Sequence, residues 1–476
     1  MAQQVAEQTT AQPSPVPRAW LVVALIIVAT FYPGIMSNDS TAALAQARAF
    51  EFTDWHPPVL ALIWSLLDRI VPGPALMLIG QSLLYAYAAA RLCSTAFARL
   101  ATRLPANLLL LAFALFPPVM ALNGMIWKDV WMSGALLLAL AYLFELASGT
   151  GGTRRSMLVI IAACLLATAF RHNAGAATAG LLAGAVYFGL PGPARPLLRL
   201  TASGLAGLAL ATVLVLVVSM ANRLLASPAN VTTPILLHDI AGTVLESGEP
   251  ERAAQLALAT SPGLTNDRGR FLARLGTDYH PEEAGRLLRT KRRNPDSPFV
   301  IDALAPGHDA DAVKRAWRAV VSRYPAAYLR HRAATFACLM QFCGRSSWAI
   351  HSYVLNPKYV FPAGLDPGQE RLRHLLLNPR SVLLYAPTFW LGIVLVGGLA
   401  GLVRLRAGTR PALCVFMALS AVGLAVSLFF TSPIESYRYV HWMILSGWIM
   451  LWMLADAVAA RRPFIPPADG AAHSRE

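Results

Sequence analysis

Long apolar runs, with charge confined to the gaps between them, constrain this chain more than any other feature. A bilayer core of roughly 30 Å needs about 20 apolar residues per helix, with about 17 as a practical minimum. Ten runs approach or meet that length: 20–36, 75–96, 105–122, 130–147, 156–170, 174–190, 197–221, 382–403, 411–430 and 439–458. Hydrophobic residues make up 56% of the chain and charged residues 14%, which excludes a soluble enzyme, a disordered chain, a collagen or a coiled-coil array. The expectation is an all-α polytopic membrane protein with about ten transmembrane helices.

The formal charge of +15 invites a nucleic-acid reading, but the positions of the basic residues argue for topology and against nucleic acid. Fourteen Arg lie in short gaps between runs or in the tails, and 21 Lys and Arg fall in one polar stretch, 223–380. Only Arg48, Arg69, Lys128, Arg171 and Arg438 remain. Cytoplasmic loops collect Lys and Arg, so the fourteen mark the inside and the five the outside. An eleventh candidate, 57–71, has 15 residues and ends in Asp68 and Arg69. If it crossed, every later Arg-rich loop would change sides, so it reads as an outer juxtamembrane helix.

The resulting layout has both termini inside. A cytoplasmic tail, 1–19, leads into a seven-span module, 20–222, with juxtamembrane helices at 38–71. An outer loop domain, 223–380, then precedes a three-span module, 381–460, and a tail, 461–476. The first run follows polar residues without a small-residue cleavage site and reads as a retained anchor. Within the outer domain, Val313, Trp317, Val320 and Tyr324 recur at helical spacing after the potential cap Asp309, and 328–342 is apolar enough to lie against the membrane. Cys338 and Cys343 also fall there, where an oxidising space is compatible with a disulfide.

Most of the distinctive polar chemistry falls outside. Asp39 follows the first run in YPGIMSNDS, where a carboxylate either caps a helix beginning near Ser40 or serves as a base. His56 opens the HPP segment of the juxtamembrane helix. Lys128 and Asp129 follow the third run between Trp127 and Trp131; the ordinary reading is an interfacial pair with aromatic anchors. Arg171 and His172 follow the fifth run, and Tyr437 and Arg438 precede the last. Cations held outside against the topology rule call for an anion, for which a lipid phosphate is the obvious candidate. Titratable groups near mid-span, usual in transporters, are scarce, with Glu145 and Asp456 near inner ends.

Together, the outward Asp39, the HPP helix, the second outward Asp129, seven spans before a large outer loop and the late Arg438 resemble the GT-C superfamily of membrane glycosyltransferases, which use polyprenyl-phosphate-linked sugars. Protein mannosyltransferases and lipid A aminoarabinose transferases belong to that group. The resemblance covers the first 222 residues in architecture and 435–439 near the end. It implies an inverting transfer of a sugar from a polyprenyl-phosphate donor to a lipid, glycan or protein acceptor, at the periplasmic face of a bacterial inner membrane. In that reading Asp39, Asp129 and His56 are the catalytic residues, with Asp39 as general base. Lys128, Arg171, His172, Tyr437 and Arg438 hold the donor phosphate. Some relatives use a divalent cation, Mg or Mn, for which Asp39 and Asp129 are the candidate ligands. Here Lys128 precedes Asp129 where metal-using members often carry an acidic pair, which leaves Lys128 as the alternative source of positive charge. The rival classes are an O-antigen ligase or polymerase and a non-enzymatic lipid carrier or flippase.

Single-cysteine labelling in a cysteine-free background is expected to place Arg103, Arg155 and Arg406 in the cytoplasm and Asp129 and Arg171 outside. External labelling of the 91–103 loop would mean that 57–71 crosses the bilayer and would overturn this topology.

Overall fold

The computed structural model describes residues 18–97, 100, 102–265, 268–284, 287, 298–299, 310–343 and 382–461. The cap candidate Asp309 lies outside these residues. Among them the chain is helical, apart from isolated backbone bridges between extended segments. The N-terminal part contains α1 (Trp20–Phe31), α2 (Asn38–Ala49), α3 (Val59–Asp68), α4 (Ala75–Ala96), α5 (Ala106–Ala114) and α6 (Pro117–Asn123). It continues through α7 (Lys128–Ser148), α8 (Thr153–Phe170), α9 (Ala174–Gly189) and α10 (Pro196–Leu225). A polar unit follows, comprising α11 (Thr233–Glu246), α12 (Pro250–Thr260), α13 (Arg268–Asp278), α14 (Ala310–Arg323) and α15 (Pro325–Leu339). The chain ends with α16 (Pro387–Val403), α17 (Thr409–Thr431) and α18 (His441–Arg461).

Six helical segments are long and apolar enough to cross a membrane: α4, α7, α8, α10, α17 and the segment Tyr437–Ala459. This makes the protein a multi-pass helical membrane protein. The remaining apolar runs depart from straight full-length spans. The third is broken between α5 and α6 with a bend of 72°, because Pro117 and Pro118 cannot continue the hydrogen-bond ladder of α5. α1, α9 and α16 are shorter helices of 12, 16 and 17 residues. α3, within 57–71, is also among the shorter apolar helices, with 10 residues.

α7 is the most enclosed of the six and packs against α4 and α8, while α9 packs against α10 and α17. At Gly180 of α9 a Cβ would strike the backbone of α17 at Ser420, so the absent side chain sets how closely those helices approach. The two acids of the apolar runs, Glu145 and Asp456, find arginines. Glu145 pairs with Arg91 and accepts a hydrogen bond from Ser156 at 3.3 Å. Asp456 pairs with Arg410 at 2.5 Å and accepts from the Leu100 amide at 2.7 Å. Both carboxylates are buried, the first pair joining α4 to α7 and the second α17 to α18.

The polar unit has its own core, built from Leu237, Ile240 and Val244 of α11, Phe271 of α13, and Val313 and Val320 of α14. Trp317 and Tyr324 pack at its edge, so the helical spacing read in 313–324 is realised. In the segment 328–342, Leu329 and Phe342 are exposed while the opposite face of α15 is buried. α15 buries His331, Arg332, Thr335 and Cys338 inside the protein, and it meets α17 through a ring contact between Phe336 and Phe429 at 5.7 Å.

Cys338 and Cys343 are joined by a disulfide, with Cα atoms 4.7 Å apart, at the end of α15. Non-reducing peptide mapping is expected to show one linked peptide containing both residues. Changing both to Ser is expected to lower thermal stability more than activity, and two unmodified thiols in protein purified without reductant would refute the bridge.

Candidate functional site

Two loops at the N-terminal end of α7 are stitched together by backbone pairing. The amide of Ile35 donates to the Gly124 carbonyl at 2.9 Å, and the amide of Ile126 donates to the Ile35 carbonyl at 3.0 Å. Gly124 permits this approach because a Cβ there would overlap the ring of Phe31. Side chains reinforce the seam: the Trp127 indole N–H donates to Ser37 Oγ at 2.7 Å and Ser40 Oγ donates to the Ile126 carbonyl at 2.7 Å. A third segment joins where the Asp54 amide donates to the Ser227 carbonyl at 3.0 Å, which fixes the strand of chain leading to His56.

α2 begins at Asn38, with Ser37 as its N-cap and the Ser37 amide donating to Ser40 Oγ at 3.1 Å. The capping role considered for Asp39 is therefore corrected. Ser37 performs it, and Asp39 stands in the first helical turn with its side chain available for other partners.

The side chains form a chain of alternating charge. Lys128 Nζ lies 2.6 Å from His56 Nδ1, and His56 Nε2 lies 3.6 Å from Asp39 Oδ1. Asp39 Oδ2 pairs with Arg438 Nη1, Arg438 Nε is 3.8 Å from Asp129 Oδ2, and Asp129 Oδ1 pairs with Arg171 Nη1. Arg171 Nε donates to Asn173 Oδ1 at 2.8 Å. Aromatic faces wall in the guanidinium groups: Arg171 lies 4.1 Å from the Tyr439 ring, and Arg438 lies 5.1 Å from Trp127 and 5.2 Å from Tyr439.

Exposure separates the two carboxylates. The Asp129 side chain is 0% exposed and that of Asp39 is 31% exposed. Asp129 is thus an internal anchor for two arginines, whereas Asp39 can meet a molecule from solution. With Lys128 donating to Nδ1, His56 is the neutral Nε2–H tautomer and turns that N–H toward Asp39. Lys128, Arg171 and Arg438 thus line the two carboxylates.

The environment sets the protonation states. Burial alone would raise the Asp39 pKa, but Arg438, His56 and Lys128 outweigh it and hold the carboxyl well below the usual carboxylate range. Burial, followed by the Lys128 charge, lowers His56, and the same two causes in the same order lower His172. Burial pushes Arg171 down to about 10, so it remains charged at neutral pH.

Asp39, His56, Lys128, Asp129, Arg171 and Arg438, all singled out in the sequence, are brought into one cluster. His172 is at the exposed rim outside the ion-pair chain, with Lys128 and Asp54 as electrostatic neighbours. The Tyr437 ring is buried and packs toward Tyr385 at 6.0 Å, while the Tyr439 ring faces the two arginines. Asp39 and Asp129 do not fit a resident divalent cation. Each is already paired with an arginine, and no three acidic, His or Cys side chains converge on a metal position among the described residues.

A second buried polar cluster, in the polar unit, was missed in the sequence. Asp239 of α11 accepts from His331 Nε2 at 3.1 Å and from the Trp317 indole at 2.9 Å, and pairs with Arg332 Nη2 at 2.8 Å. A signal existed: Ala327, His331, Thr335 and Cys338 share one helical stripe, which places a histidine on an apolar face. Comparison with protein families, with curated proteins and with solved structures finds no match.

Acid sensitivity follows from the histidines. Burial is the leading cause that depresses His56, His331 and His238, the last to about 3. Each binds a proton more readily unfolded than folded, so their contribution is complete above the unfolded value near 6.5 and declines as pH falls below it. The thermal midpoint of the purified protein is expected to fall between about pH 7.5 and about pH 5, and His238→Gln to flatten that slope. A pH-independent midpoint across this window would contradict the assignment.

Proposed function

We propose that the protein is a GT-C-type membrane glycosyltransferase that moves a sugar from a polyprenyl-phosphate donor to an acceptor hydroxyl. One observation carries this reading: the partly exposed Asp39 stands against a cation-rich cluster assembled from the loops after the first and third runs, the turn after α8 and the segment before α18. A carboxylate that can receive a proton and cations that can receive a phosphate are the two requirements of such a transfer. The cluster lies at the outer, periplasmic face of a bacterial inner membrane, with about ten crossings and both termini inside.

In the proposed reaction Asp39 takes the proton of the acceptor hydroxyl as its oxygen attacks the anomeric carbon. The bond from that carbon to the phosphate oxygen breaks, its electron pair leaves with the polyprenyl phosphate, and the anomeric centre inverts. Lys128, Arg171 and Arg438 oppose the charge that grows on the departing phosphate. A carboxylate held at low pKa by Arg438 is a weak base. The donor phosphate corrects this by drawing Arg438 toward itself, which relaxes the ion pair and restores basicity to Asp39. His56, with its Nε2–H facing Asp39, orients the carboxylate, and Tyr439 and Trp127 keep the arginines in plane.

Asp39→Asn is expected to lower transfer by about 10² to 10⁴ while folding and insertion are retained, because the amide cannot accept the proton. Wild-type turnover by this variant would remove the base and favour a ligase relying on arginine and histidine, whereas lipid moved with its sugar bond intact by the wild type would favour a carrier. Arg438→Ala is expected to weaken donor use by about 1.5 to 3 kcal/mol, with little recovery in Arg438→Lys, since one ammonium cannot span both carboxylates. Radiolabelled lipid-linked sugar in proteoliposomes reads both outcomes.

A further inference from the structure

We infer that the buried Asp239–Arg332 pair of the polar unit is a positioning device for Arg438, acting through the segment 432–436. The inference rests on the proposed role of Arg438 for its functional consequence and on hydrogen bonds alone for its mechanics.

Arg332 is 0% exposed and serves two partners: its Nη2 pairs with Asp239 Oδ1 at 2.8 Å, and its Nη1 donates to the Ser432 carbonyl at 3.0 Å. Asp239 is held in turn by His331 and by the Trp317 indole, so helices α11, α14 and α15 converge on one carboxylate. Tyr279 OH lies 2.8 Å from His331 Nδ1, which makes His331 the neutral Nε2–H tautomer and leaves one negative charge matched to one guanidinium. Nothing in this arrangement touches Asp39 or Asp129, and burying it costs solvation. Its reach into the next segment is what distinguishes it from a core ion pair.

That segment is gripped along its length by the polar unit. After Ser432, the Pro433 carbonyl accepts from the Ala284 amide at 3.1 Å, Ile434 forms an antiparallel bridge with Glu283, and the Glu435 amide donates to the Glu282 carbonyl at 2.8 Å. Ser432 Oγ closes the turn on the Ile434 carbonyl at 2.8 Å. The Tyr439 amide donates to the Ser436 carbonyl at 3.0 Å, so the tethered stretch runs directly into the turn bearing Arg438 and Tyr439. A guanidinium with five donors can hold Asp239 and the Ser432 carbonyl together, whereas a lysine ammonium keeps the ion pair but cannot span both at these positions.

The experiment uses the full chain in nanodiscs containing a radiolabelled undecaprenyl-phosphate-linked sugar. Arg332→Lys is the principal variant, and Ser432→Ala, which opens the turn without touching the polar core, is the second. Both are expected to speed amide hydrogen exchange in 432–440 by about tenfold, the equivalent of one lost hydrogen bond, with the α7 and α10 peptides unchanged. Both are expected to raise the donor KM more than they lower kcat. In an Arg438→Lys background, Arg332→Lys is expected to add no further effect, a non-additivity that simple loss of stability would not give. Unchanged exchange at 432–440 in both variants would overturn the inference, as would faster exchange with full additivity against Arg438→Lys. Failure of the wild type to bind the undecaprenyl-phosphate-linked sugar or to transfer its sugar would instead overturn the proposed function, while the exchange measurement still decides whether Arg332 holds the Arg438 turn.

Discussion

The site depends on Asp129, a carboxylate with no exposed side-chain surface that is placed between two arginines. A charge in that position is tolerated only when paired, and removing one partner from such an arrangement typically costs about 3 to 5 kcal/mol because the other charge is left uncompensated. The partners come from different parts of the chain. Arg171 follows α8 and Arg438 precedes α18, so pairing with Asp129 fixes both approaches relative to α7. Trp127 and Tyr439 then limit the planes in which the guanidinium groups can lie.

From this anchor the electrostatics grade outward. Asp39 shares Arg438 with Asp129 but keeps part of its surface open, and His56 links it to Lys128. In the proposed reaction that gradient separates roles: the closed carboxylate holds cations and the open one exchanges a proton. Elsewhere the same pairing serves another purpose. Glu145 with Arg91 and Asp456 with Arg410 allow acids to sit within apolar segments, and both of these carboxylates are buried.

The polar unit adds a second buried charge pair with its own supporting histidine and indole. Its contacts with 432–435 make the segment before α18 a shared structure, held on one side by α15 and on the other by the site. Two separate ion-pair clusters therefore meet through a few backbone residues, and backbone pairing transmits position better than two exposed side chains could, since its groups have few alternative partners once buried.

Much of the fold was legible because burial in a bilayer is a local property: the free energy of an apolar run depends on its composition and length. The runs, the short helix at 59–68 and the amphipathic face of α14 could be read from spacing alone. The break between α5 and α6 was also written in the sequence, as Pro117 and Pro118, but its angle depends on what packs around it. Six charged or titratable residues of the site stood out because they lie at run boundaries where hydropathy disfavours them. Their pairing did not follow. Arg438 and Asp39 are 399 residues apart, and local pattern does not encode which of several cations a carboxylate meets. The same limit concealed the Asp239 cluster, whose residues look like ordinary surface charges until α11, α14 and α15 pack. Sequence determined which segments leave water and which charges remain at their ends. Tertiary structure decided the partners, because a buried charge is stabilised by whichever opposite charge the packed backbone brings within contact distance.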